Sequence, residues 1–96
     1  MVDQTPYHIL RDKVPKPIYF KKRYENLFCT VMAENLELYF LNSTASFILH
    51  NCDGNNSINK LLTLLLKEFP EESAQQIRSD LIHTIRDLQW KRIVSI

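Results

Sequence analysis

Between Leu36 and Gly54 the chain reads LELYFLNSTASFILHNCDG, and within this stretch its pattern changes from strand to helix. Side chains alternate along a strand, so Leu36, Leu38 and Phe40 fall on one face and Glu37, Tyr39 and Leu41 on the other. Asn42 or Ser43 can then cap a helix expected over residues 43–52, to which Phe47, Ile48 and Leu49 give an apolar side. The stop is Asp53-Gly54, where the only glycine of the chain stands at the place a left-handed residue after a helix is wanted.

Towards the N-terminus, Ile18-Tyr19-Phe20 and Leu27-Phe28-Cys29-Thr30-Val31-Met32 are rich in β-branched and aromatic residues and read as two more strands. The joins fall near Tyr24-Glu25-Asn26 and Glu34-Asn35. Residues 1–17 carry Pro6, Pro15 and Pro17 without periodicity and read as a flexible tail ahead of a domain over residues 18–96. Towards the C-terminus, Asn56 or Ser57 caps a second helix with Ile58, Leu61, Leu62, Leu65 and Leu66 at helical spacing, ending at Pro70. Glu71 and Glu72 suit the positive end of a third helix, expected over residues 72–90, with Ala74, Ile77, Leu81, Ile85 and Leu88 as its stripe. Ile93-Val94-Ser95-Ile96 reads as an extended end. A three-stranded antiparallel sheet followed by three helices is an α+β fold of winged-helix-like order.

The 96 residues are 45% hydrophobic and 24% charged, with a formal net charge of +1. Those are the proportions of one soluble globular domain with a modest core. The first six residues include Asp3 and Pro6 where an export signal would be apolar. The leucine-rich run of residues 61–66 is far short of the about 20 that span a bilayer. No membrane partner and a cytoplasmic location are therefore expected. In a reducing cytosol Cys29 and Cys52 read as free, buried thiols.

A chain with one glycine cannot build a dinucleotide-binding turn or a P-loop. His8, His50 and His83 stand in no catalytic motif, and His50-Asn51-Cys52 has the wrong spacing for zinc. Neither catalysis, nor a metal, nor a cofactor is expected. The strand and helix order makes a winged-helix nucleic-acid-binding protein the alternative, and a purely structural subunit a third reading. Against the nucleic-acid reading, the third helix would begin Glu71-Glu72-Ser73-Ala74-Gln75-Gln76 and repel phosphate. Lys16, Lys21, Lys22 and Arg23 read better as a charged edge strand than as a phosphate track.

In a three-stranded meander the third strand lies at an edge, and either the third helix or the N-terminal tail covers it or its outer backbone groups stay open. In the third helix Ile82 lies off the apolar stripe between Arg78 and Arg86, a spot suited to a peptide with an apolar anchor and acidic neighbours unless Ile82 merely widens the core.

Residues Tyr39-Phe40-Leu41-Asn42-Ser43-Thr44-Ala45-Ser46-Phe47-Ile48-Leu49, followed by Asp53-Gly54 and a leucine-rich helix, resemble the PqqD-like family, the peptide chaperones of pyrroloquinoline quinone biosynthesis. Ile77-Arg78-Ser79-Asp80-Leu81 and Leu88 fit the same pattern. The resemblance implies a winged-helix-like recognition element for ribosomally made, post-translationally modified peptides. Such an element binds the leader of a precursor peptide as an extra strand on the third strand, against the third helix. It presents the core to a modifying enzyme, often a radical S-adenosylmethionine protein. Carried over by position, the resemblance implies a peptide-binding groove of Glu37, Leu38, Tyr39, Phe40 and Leu41 with Arg78, Leu81, Ile82, Ile85, Arg86 and Gln89. One departure stands at Trp90-Lys91-Arg92, where relatives usually have glycine. Arginine in a left-handed cap is strained by about 1–2 kcal/mol, so this helix is expected to end differently.

Overall fold

A short loop with one left-handed residue builds the hairpin at the centre of the sheet. In the computed structural model, which describes residues 9–25 and 28–96, the Leu36 N–H donates to Ala33 O at 2.8 Å and the Ala33 N–H to Glu37 O at 2.9 Å. Leu36 takes φ 71, the residue that closes a three-residue hairpin loop. It was expected within the strand; the loop claims it because the chain must reverse before it can pair.

The loop joins β3 (Phe28–Met32) to β4 (Leu38–Leu41), and β2 (Lys21–Glu25) pairs with the other side of β3, giving an antiparallel sheet in the order β2-β3-β4. Three helices follow, α1 (Ser43–His50), α2 (Ile58–Glu68) and α3 (Ala74–Trp90). This is the expected α+β order. The first strand is displaced from expectation, covering Lys21–Glu25 rather than Ile18-Tyr19-Phe20. Ile18 and Phe20 instead lie where the backbone changes partner: the Ile18 N–H donates to Ile93 O at 2.9 Å and the Phe20 N–H to Met32 O at 2.8 Å. A charged strand is tolerated at this edge, where the Lys22 ammonium also rests over aromatic rings, with Nζ 5.2 Å from the Tyr19 centroid and 4.8 Å from that of Tyr24. The expected β2–β3 join at Asn26 lies outside the described residues.

Each helix start is satisfied by a side chain. Asn42 accepts from the Ala45 N–H, Ser57 from that of Lys60 and Ser73 from that of Gln76. At α2 the carbonyls of Lys13 and Arg11 also accept from the N–H groups of Ile58 and Asn59, both at 2.9 Å. Of the segment expected as a tail, residues 1–8 lie outside the described residues, while Pro15 is buried. Helix α1 ends at His50, earlier than expected, because Asn51 caps it; Gly54 does take φ 87, but inside the following loop. Helix α3 starts at Ala74, which is exposed rather than part of the stripe.

The core is where the helices meet one face of the sheet. Cys29, Val31 and Leu41 pack with Ile48 and Leu49 of α1, Ile58, Leu61 and Leu65 of α2, and Ile77, Leu81, Ile85 and Leu88 of α3, all buried. Both cysteines are free, as the sequence suggested. Leu81 is fully buried, and truncating such a leucine to alanine costs about 2–5 kcal/mol.

The end of α3 overturns the expectation for Arg92. It adopts φ 59 and its N–H donates to Gln89 O at 3.1 Å, while the Ile93 N–H donates to Leu88 O at 2.8 Å. These paired bonds define a Schellman cap, and burial of Ile93 together with Leu88 outweighs the strain. The chain then forms β5 (Val94–Ser95), antiparallel to β1 (Lys16–Pro17), a small second sheet the sequence had not announced.

Arg92→Gly relieves the strain at the cost of unfolded-chain entropy, for a net gain of about 0.5–1 kcal/mol. Urea denaturation followed by helical circular dichroism should show a raised midpoint; an unchanged or lowered one contradicts the assignment of strain.

Candidate functional site

The hairpin register decides which backbone groups face outwards. Glu37 is bonded to Ala33, and β3 and β4 continue with Met32 opposite Leu38, Val31 opposite Tyr39, Thr30 opposite Phe40 and Cys29 opposite Leu41. Hydrogen-bonded and open pairs alternate in an antiparallel ladder. Tyr39 and Leu41 therefore spend their N–H and C=O groups on β3, and those of Leu38 and Phe40 point to the free side. No strand pairs with that outer edge among the described residues.

Beside this edge runs an open groove of about 500 Å3. Phe40, Leu41, Asn42, Thr44 and Ala45 form one wall, and Asp80, His83, Thr84 and Asp87 of α3, with its C-cap Lys91, form the other. Lys91 ties the walls together at one end. Its Nζ lies 2.8 Å from Asp87 Oδ2 and 4.9 Å from the centroid of the Tyr39 ring. At the other end the Gln76 amide donates to Asp80 Oδ1 at 2.9 Å. The Ser46 hydroxyl, buried beneath, donates to Leu41 O at 3.1 Å and fixes the end of β4 on α1.

The implied groove residues separate into three groups. Leu38, Tyr39, Phe40 and Leu41 form β4, with Glu37 just before it, held by Asn35 through side-chain and backbone bonds. Leu81 and Ile85 are in the core and Ile82 nearly so, at 8% exposure, so it widens the apolar stripe. Arg78, Arg86 and Gln89 lie with Ile82 on the flank of α3 away from the groove. Each helical residue turns by about 100°, which puts Asp80, Thr84, Asp87 and Lys91 on one side of the core stripe and Arg78, Ile82, Arg86 and Gln89 on the other. The structure thus brings Phe40 and Leu41 to the groove but not the two arginines.

Sequence reading missed Thr44, Asp80, His83, Thr84, Asp87 and Lys91. Apart from Thr44, which stands on α1, their signal was a polar row at helical spacing, which ordinarily marks a solvated face. Leu38 and Phe40 are 57% and 82% exposed, and Leu36 in the hairpin loop is 63% exposed. In a separate cavity, Tyr24 Oη lies 3.2 Å from His50 Nδ1 beside Phe47 and Phe69.

The family model described as coenzyme PQQ synthesis protein D (PqqD) matches residues 30–94. No curated protein and no solved structure matches the chain significantly. Among the described residues no helix is long and apolar enough to cross a membrane, and no three His, Cys, Asp or Glu side chains gather where they could hold a metal ion.

The two thiols are poor nucleophiles and poor ligands, since both functions need the thiolate. Burial pushes the Cys29 thiol up, and burial with the neighbouring Asp53 carboxylate pushes Cys52 up to about 12. A thiol pKa raised by folding favours the folded state below the ordinary thiol range, and the advantage disappears as pH rises towards the folded value. The urea midpoint should therefore fall between about pH 9 and about pH 11, with at most about 1.4 kcal/mol lost per pH unit for this proton. The fall should be shallower in Cys52→Ala; an identical slope removes Cys52 as its source.

Proposed function

This chain belongs to the PqqD family, and on that premise we propose that it captures the leader of a ribosomal precursor peptide as an added strand on β4 and presents the peptide to a modifying enzyme, of radical S-adenosylmethionine type. Members of the family are non-catalytic, peptide-binding partners of a biosynthetic enzyme. The matched residues include part of β3, all of β4 and the three helices, hence both walls of the groove.

The observation that carries the reading is the outward backbone of Leu38 and Phe40 beside a groove walled by α3. Each residue offers one N–H and one C=O, and hydrogen bonds of this kind contribute about 0.5–1.5 kcal/mol each. Such affinity tolerates different sequences, and alternate side chains of the guest supply selectivity by entering the groove. We place the guest antiparallel to β4. From Asp80 to Lys91 the α3 wall runs about 16 Å, the length of about five extended residues. Nucleic acid is the poorer guest, since the approach to α3 carries the exposed carboxylates of Glu71 and Glu72.

Phe40→Pro tests this directly. It deletes an outward N–H without touching the β3 ladder, a position where an edge strand accepts proline. Against a peptide selected on the wild-type chain from a displayed random library, Phe40→Pro should bind about three- to tenfold more weakly with unchanged circular dichroism. Arg86→Ala should bind within about twofold of wild type. Full affinity in folded Phe40→Pro would exclude strand addition here.

A further inference from the structure

We infer that the groove selects a peptide with one lysine or arginine at a fixed position, its side chain lying in a cleft where α1, α2 and α3 meet; the inference rests on the peptide-binding reading above. The cleft has a volume of about 140 Å3 and shares Thr44 and Asp80 with the larger groove, so a strand on β4 can send a side chain into it. Its floor is apolar, made by the buried Leu65 and Ile77 with the half-buried Phe69. Phe69 is held edge-on against Phe47, with ring centroids 6.1 Å apart. The rim is acidic: Asp80 is half-buried, and Glu72 is exposed, its N–H bonded to Phe69 O at 3.2 Å.

An apolar floor beneath two carboxylates suits a side chain with a long apolar stem and a cationic head. The stem covers Leu65, Ile77 and Phe69 while the head stays at the wet rim near Asp80 and Glu72. An aliphatic guest would cover the floor but leave the carboxylates partly desolvated, and an acidic guest would be repelled. The charges of the groove agree. Asp87 and Lys91 neutralise each other at 2.8 Å, whereas among the described residues neither Asp80 nor Glu72 is paired with a cation. This reverses the acidic guest expected from Arg78 and Arg86, which stand on the other flank of α3.

The test uses displayed random peptides selected on the intact chain. Enriched peptides should share one lysine or arginine column at a fixed offset from alternating apolar residues. Replacing that lysine by norleucine should weaken binding about fivefold in fluorescence anisotropy, and the difference should vanish in the Asp80→Asn, Glu72→Gln double variant. Enriched peptides without a basic column, whose binding is still weakened in Phe40→Pro, would overturn the lysine cleft and leave strand capture standing. A lysine preference undiminished in the double variant would likewise overturn it. If no peptide is enriched at all, strand capture falls and the cleft with it.

Discussion

Leu36 is held at φ 71 because a three-residue loop must bring Ala33 back to Glu37, and the register this imposes governs the rest of the site. A slip of one residue along a strand would exchange its two faces. Here it would send Tyr39 and Leu41 outwards, strip the sheet of a buried side chain opposite Cys29, and turn the backbone of Leu38 and Phe40 back into the ladder. The same register therefore seals the core and leaves the outer edge open. An exposed leucine in a strained turn is tolerable for that reason.

The second constraint is the depth at which α3 is seated. Ile77, Leu81, Ile85 and Leu88 are all buried, so the helix cannot roll without exposing apolar surface worth about 1.5–3 kcal/mol per side chain. Seating the stripe commits one polar flank to the groove and the other to the opposite side. The groove is then lined on this side by Asp80, His83, Thr84, Asp87 and Lys91 rather than by Arg78 and Arg86. Lys91, bonded to Asp87 and resting on Tyr39, keeps the end of α3 close to β4.

The helices were legible in the sequence because the leucine and isoleucine spacing follows a single turn period, with Asn42 and Ser57 readable as caps of the first two, whereas the Ser73 cap of the third was missed. Strand β2 was legible as a charged edge at Lys21-Lys22-Arg23, but its bounds were not, since it lacks an apolar pattern and its place depends on pairing with β3. The end of α3 was misjudged because the strain at Arg92 is local, whereas burial of Ile93 is tertiary and outweighs it. The strand wall of the site was readable from its position at the end of a meander. The helix wall was not, because a core stripe has two flanks and only the packing of α1 and β4 tells which one borders the edge.

In the proposed function a peptide adds to the outer edge of β4. Amide hydrogen exchange, resolved by residue with and without a selected peptide, tests it most directly. Exchange should slow most at Leu38 and Phe40, whose N–H groups have no partner in the sheet, and change little at Tyr39, already bonded to β3. Protection confined to Lys21–Glu25, with Leu38 and Phe40 unchanged, would contradict it.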